Sequence, residues 1–160
     1  TTGNFHPSEA REFLRGIATV AGAGGGLILG VDLQKSVDIL EPAYNDSAGV
    51  TAAFNLNLLE RINRELGGDF AVDQFEHYAP YNPEHSRIEM HLVSKEPQTV
   101  RLGEAEFSFD AGEPIITEYS YKFTLDGFAE LAASAGFQVD RVWTDDQKLF
   151  SVQYLTVTNR

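Results

Sequence analysis

No cysteine occurs among the 160 residues, which excludes disulfides, thiolate metal sites and cysteine nucleophiles. Positive charge is scarce: 12 Lys and Arg stand against 24 Asp and Glu, a formal net charge of −12. With so little basic surface to neutralise phosphates, neither nucleic acid nor an anionic membrane is an expected partner. Long apolar runs are missing as well. No stretch approaches the roughly 18 residues of a membrane span, and no signal peptide is expected. A reducing cytoplasm is the default expectation, although the absence of cysteine permits either compartment. His6, His77, His85 and His91 show no metal-ligand spacing on a common face, so no metal is expected.

A cofactor loop in the expected order is also lacking. A dinucleotide-type site needs a strand followed at once by a glycine-rich turn, then an acidic residue ending the next strand. The only glycine cluster, Gly22 to Gly26, precedes the apolar run Leu27–Leu33 and reads as a helix-to-strand connection. The chain opens on Thr1-Thr2-Gly3-Asn4-Phe5 without an initiator Met, like the end of a strand entering a loop. The expectation is the C-terminal half of a longer protein.

What is present suits a folded domain, since 42% of residues are hydrophobic and the length allows a core. Ser8 is a candidate cap for a helix over 9–20, with Phe13, Leu14, Ile17 and Val20 facing inward. The continuous apolar run Leu27–Leu33 predicts a strand buried on both faces, hence a parallel sheet with helices on either side. From about residue 35 the pattern changes. The turn Tyr44, Asn45, Asp46, Gly49 leads into an amphipathic helix over about 51–66. Phe54, Leu58, Ile62 and Leu66 form its stripe, Asn55, Asn57, Glu60, Arg61 and Arg64 lie opposite, and Gly67-Gly68 stops it. Phe75-Glu76-His77 and three strand-like runs follow. Ile88, Met90 and Leu92 share one face of 87–95, 99–109 is apolar in part, and 113–123 alternates, with Gly103 and Gly112 at turns or bulges. The tail predicts a helix from Thr124 to Ala135, with Phe128, Leu131, Ala132 and Ala135 inward. Two strands then meet across Asp145-Asp146. Three segments result: 1–34, an antiparallel insertion over 35–123, and 124–160.

Glu118 and Ser120 alternate in one strand, so their side chains leave the same face. A carboxylate and a hydroxyl so placed could grip both nitrogens of an imidazole; from the spacing alone a solvated strand face is the plainer reading. Asn4, after Gly3, reads as a turn-former or as a ligand contact beyond a strand end. Phe54 and Met90 could be core or pocket.

The residues TGNF (2–5), AYND, GVTAAFNLNLL and INRELGGDF (43–70), RIEMHLVS (87–94) and TEYSYKF (117–123) resemble, in order, the histidine-specific, S-adenosylmethionine-dependent methyltransferases of ergothioneine biosynthesis. The resemblance implies an α/β fold: the C-terminal part of a class I, Rossmann-like methyltransferase sheet with an inserted α+β substrate-binding subdomain. It implies methylation of the α-amino group of L-histidine, three times, to hercynine, with S-adenosylmethionine as methyl donor and its contacts upstream. By the same resemblance Glu118 and Ser120 bind the imidazole, Asn4 and Tyr44 the amino-acid end, and Phe54 and Met90 line the pocket. The intact protein is expected to be monomeric and this chain alone inactive and open to self-association. Two alternatives stay open: a methyltransferase for another amino acid, and a non-catalytic amino-acid-binding module.

Overall fold

The structure, a computed structural model, describes residues 2–158. A 3-10 turn at Thr2–Asn4 is followed by α1 (Pro7–Ala21), β1 (Gly26–Asp32), α2 (Val37–Tyr44) and α3 (Val50–Leu66). Next come β2 (Phe75–Tyr78), β3 (Tyr81–Asn82), β4 (Arg87–Ser94), β5 (Gln98–Leu102), β6 (Ala105–Phe109) and β7 (Pro114–Tyr121). The chain ends with α4 (Leu125–Ser134), β8 (Phe137–Thr144) and β9 (Phe150–Val157). It divides into two compact units, Thr1–Ser36 with Pro83–Arg87 and Tyr119–Arg160, and Val37–Asn82 with Ile88–Glu118.

In the first unit, β9 lies between β1 and β8 and runs antiparallel to both. β1 and β8 therefore run parallel to one another without pairing. Leu27, Leu29, Val31 and Leu33 share a core with Leu14, Ile17 and Ala18 of α1, Phe128, Leu131 and Ala132 of α4, and Leu155 of β9. The expectation of a strand buried on both faces is corrected here. Ile28 is 68% exposed, because among the described residues this core draws only α1 and α4 to one face of the sheet.

Three local expectations also change. Thr1 lies outside the described residues, and Thr2–Asn4 form a 3-10 turn rather than a strand end, so the opening is helix–strand, not strand–helix–strand. Ser8 does not cap α1. Pro7 opens the helix, where its missing N–H costs nothing, and the Glu9 carboxylate accepts the His6 backbone N–H at 2.8 Å. Ala10 and Leu14 form the buried stripe of α1, whereas Phe13 and Val20 are 46% and 90% exposed. The tail agrees with its reading: Thr124 Oγ1 accepts the Gly127 N–H at 3.0 Å, and Phe128 and Ala132 are fully buried. Asp145 accepts the backbone N–H groups of Gln147, Leu149 and Phe150, fixing the β8–β9 turn.

In the second unit, β4 pairs with β2, β3 and β7, antiparallel to β2. Ile88, Met90 and Leu92 are all buried, as the alternation of that strand requires. The run over 99–109 is not one strand. It is the hairpin β5–β6, turned at Gly103 with φ of 60°, a conformation that costs glycine little. Leu40, Ala79, Ile88 and Met90 make one core cluster, and Leu59, Phe75 and Leu92 another.

The stripe assigned to α3 is the largest correction. Phe54 and Leu66 are 66% and 64% exposed, while Asn55 and Leu59 are buried, with Leu56 and Ile62 packed beside Leu59. The reason is the helical repeat. Residues spaced strictly by four drift about 40° around the axis at each step, so 54, 58, 62 and 66 cannot hold one face. Spacings of three and four must alternate, as they do in 55, 59 and 62. At the ends of the helix, Asp46 accepts the Val50 and Thr51 N–H groups at 2.9 and 2.8 Å, and Gly67 closes it with φ of 69°.

Candidate functional site

The misplaced stripe has a use. Phe54 and Leu58, turned away from the core, line a cavity of about 180 Å³ with Asn55, Asn57, Arg61, Met90, Thr117 and Glu118. All eight belong to the second unit. Phe54, Leu58 and Met90 give an apolar wall, and Glu118, midway along β7, supplies a carboxylate as hydrogen-bond acceptor. Arg61 is already held, its guanidinium meeting the Glu65 carboxylate at 3.1 and 3.0 Å.

The floor of this cavity rests on a hydrogen-bond network around Asn55, which is only 3% exposed. Its Nδ2 donates to the His91 carbonyl at 3.1 Å and lies 3.0 Å from His77 Nδ1. Its Oδ1 accepts from the Thr117 hydroxyl at 2.6 Å. On the far side of the ring, His77 Nε2 is 2.8 Å from the Tyr44 carbonyl. A carbonyl only accepts, so Nε2 carries the hydrogen and Nδ1 receives the Asn55 amide. In this way α2, α3, β2, β4 and β7 are joined beneath the cavity by one buried side chain and its partners.

Tyr44 is not among the lining residues. It packs against the cluster that holds Met90, and its backbone carbonyl enters the network above. Of the expected residues in this unit, Phe54, Met90 and Glu118 are thus brought together, and Tyr44 lies beside them.

Asn4 and Ser120 belong to the first unit. Gly3 is pressed against β7, for a Cβ there would lie 3.1 Å from the Tyr121 carbonyl oxygen. Asn4 Nδ2 donates to the Tyr119 carbonyl at 3.2 Å, adjacent in sequence to Ser120. The Arg87 guanidinium sits 3.6 Å from the Tyr119 ring centre and donates to the Tyr121 hydroxyl at 2.6 Å. Lys122, buried, donates to Ser120 Oγ at 2.7 Å and to Asp32 at 2.8 Å; Lys35 also pairs with Asp32. Burial pushes the Asp32 carboxyl up, but the bonds from Lys122 and Lys35 outweigh it, and the net shift is downward.

Asn55, Thr117, Asn57 and Arg61 were not anticipated as site residues. Thr117 had a signal, since it precedes Glu118 in the alternating run. Asn55 carried none without the correct helical phase. Among the described residues no three His, Asp or Glu side chains are grouped to hold a metal ion, and no helix is long and apolar enough to cross a membrane.

A family profile described as histidine-specific, S-adenosylmethionine-dependent methyltransferase matches residues 1–157. A histidine N-alpha-methyltransferase from Mycolicibacterium smegmatis is 44% identical over 147 residues, covering 91% of this chain and 46% of that protein. Another from Mycobacterium tuberculosis is 45% identical over 148 residues, with the same coverage of 91% and 46%. An L-tryptophan methyltransferase from Psilocybe serbica is 27% identical, covering 99% of this chain and 45% of that protein. The chain spans about half the length of the curated relatives it matches.

Proposed function

The chain belongs to the histidine-specific, S-adenosylmethionine-dependent methyltransferase family, and from that membership we propose that a full-length protein containing it methylates the α-amino group of L-histidine, up to the trimethyl betaine. The observation that carries the substrate is Glu118 in a small, partly apolar cavity with Phe54 and Met90. A neutral imidazole presents one N–H and one bare nitrogen on a flat apolar ring. Within the second unit, the Glu118 carboxylate accepts the N–H, and Phe54 and Met90 flank the ring; Ser120 is assigned to the other nitrogen on the family resemblance alone. Asn4 and Tyr44 are assigned to the amino-acid end on the same resemblance. A site built of such polar groups discriminates by roughly 10⁴–10⁵ against analogues that leave them unpaired.

The methyl donor of the family is S-adenosylmethionine, and the glycine cluster of this chain has a packing role instead of the form of a loop for it. Gly22 to Gly26 connect α1 to β1, ahead of the strand instead of after it. A Cβ at Gly25 would lie 2.3 Å from the Ala21 carbonyl oxygen, and one at Gly26 2.7 Å from the Tyr154 hydroxyl. These two glycines permit close packing. We assign to this chain the binding and orientation of the amino acid, and to the rest of the full-length protein the contacts with the donor. In fold terms the first unit is proposed as the end of a class I, Rossmann-like sheet and the second as its substrate-binding insertion. The full-length protein is proposed to be a cytoplasmic monomer.

Calorimetric titration of the full-length protein with L-histidine tests the clamp. Glu118→Ala should weaken binding about 10- to 100-fold, the equivalent of roughly 1.5–3 kcal/mol for a hydrogen bond to a charged group. An unchanged Kd removes Glu118 from the site. The similarity to an L-tryptophan methyltransferase favours one second reading, a different aromatic amino acid against the Phe54–Leu58–Met90 wall. Titration with L-tryptophan separates the two.

A further inference from the structure

We propose that the cavity of the second unit takes its ring in the protonated form, as an imidazolium that presents two N–H groups. The inference rests on the reading of Glu118 as an imidazole contact and adds to it the charge of the ring that is bound.

Asn55 and Thr117 line the cavity beside Glu118, and their side-chain hydrogens are all committed. The Asn55 amide is held in one orientation, because its Nδ2 lies 3.1 Å from the His91 carbonyl oxygen, which only accepts. The second Nδ2 hydrogen goes to His77 Nδ1 at 3.0 Å. What Asn55 still offers a ligand is Oδ1, an acceptor. The Thr117 hydroxyl lies 2.6 Å from that Oδ1 and 3.1 Å from the Met90 carbonyl oxygen. Neither of these atoms can donate, so the single hydrogen of Thr117 is spent on them and its oxygen keeps lone pairs alone. Turning that hydrogen towards a ligand would take the donor from the oxygen of Asn55, a residue only 3% exposed, which is unfavourable.

Glu118 is an acceptor too, and among the described residues its carboxylate has no hydrogen-bond or ion-pair partner. The side-chain donors at the cavity are Asn57, exposed on α3, and Arg61, whose guanidinium is already shared with Glu65. A neutral imidazole meets this lining badly. Its N–H suits Glu118, but its bare nitrogen finds acceptors in Asn55 and Thr117. An imidazolium carries a hydrogen on each nitrogen, and a carboxylate beside a ring favours the charged form. Among the described lining residues the ionisable groups are Glu118 from β7 and Arg61 from α3, while β4 brings only Met90. The charge of Arg61 is cancelled by Glu65, which leaves that of Glu118. Phe54 adds an aromatic ring, whose face attracts a cation. Ser120, a hydroxyl of the first unit, can accept as well as donate and fits either form.

The test is nitrogen NMR of L-histidine labelled in its ring, bound to the full-length protein at pH 8 without methyl donor. A bare ring nitrogen and one bearing a hydrogen resonate far apart, so the bound form is read directly. With an ordinary imidazole pKa of about 6.5, only about 3% of the free ring is protonated at that pH. The bound ring is expected to show two N–H nitrogens, and in Glu118→Gln one of them should become bare. The second measurement is the Kd at pH 7 for a 1,2,4-triazole analogue of histidine, which keeps an N–H but takes up no proton near neutrality. It should bind about tenfold more weakly than histidine, or worse. A bare nitrogen in the wild-type complex, a ring still doubly protonated in Glu118→Gln, or a triazole Kd within about twofold of histidine's overturns the inference and leaves Glu118 in the site. An unchanged histidine Kd in Glu118→Ala would instead remove Glu118, and this inference with it.

Discussion

Asn55 concentrates more of the second unit's order than any residue around it. Its amide donates to a backbone carbonyl and a ring nitrogen, and its oxygen takes the Thr117 hydroxyl. Removing it leaves several buried groups without partners at once, each costing roughly 1–3 kcal/mol. Asn55→Ala is expected to lower unfolding free energy by about 2–4 kcal/mol in urea titrations; a loss below about 0.5 kcal/mol would contradict the network. Asp46 offers a test by pH. Hydrogen bonds from the Thr51 and Val50 N–H groups bring its carboxyl from 3.8 down to about 2. A group whose folded pKa is depressed stabilises the fold in its ionised form. That contribution is complete above about pH 5 and disappears as pH falls through 4 towards 2. The Tm deficit of Asp46→Ala should therefore be largest near neutrality and shrink over that window; a deficit independent of pH would exclude the ionic cap. Residues of these two kinds differ in how well the sequence announces them. Asp46 stands in an Asn-Asp turn ahead of a helix and was legible as such. Asn55 was not, because polarity argued for the surface and only the correct rotation of α3 reverses that.

At the scale of elements, the signals that survived were those of short range. Thr124 as the cap of α4, Gly67 as the end of α3, and the alternation of Ile88, Met90 and Leu92 each depend on residues a few positions apart. Thr124→Ala should cost about 1 kcal/mol of stability, measurable by chemical denaturation, and Thr124→Ser should recover most of it. What failed depended on more distant partners. The apolar run of β1 looked buried on both faces, yet burial is decided by what packs against the sheet, and Ile28 meets neither α1 nor α4. The turn at Gly103 was expected, but 99–109 read as one strand-like run because its apolar residues continue across that glycine, and the pairing of β5 with β6 did not show. The insertion of β9 between β1 and β8 is a pairing choice that local periodicity does not record, although the antiparallel end of the sheet was expected. Glu118 and Ser120, the two residues proposed to grip the imidazole, lie on β7 within the run over 113–123 that alternation marked as a strand; the role assigned to them came from the family resemblance, since spacing alone reads as well as a solvated face.

Across the whole molecule, strong net negative charge, −12 over the chain, coexists with an exposed apolar sheet face in the first unit. Ile28, Phe150, Val152 and Trp143 are 68%, 46%, 38% and 50% exposed. The register Gly30↔Val152, Asp32↔Phe150 on β1–β9 and Trp143↔Val152 on β8–β9 sets them on one side. β1 is also an edge strand among the described residues. The isolated chain should therefore self-associate as its concentration rises, more so in high salt, where charge repulsion is screened. Sedimentation equilibrium would show this, and Ile28→Lys should reduce it; a strictly monomeric chain in high salt would contradict the account of that face. The central claim concerns the amino acid that the family site accepts, and mass spectrometry tests it most directly. The full-length protein is incubated with S-adenosylmethionine and all twenty amino acids together, and the products are weighed. The account predicts that histidine alone gains methyl groups, up to three. Methylation of another amino acid with histidine left untouched would contradict it.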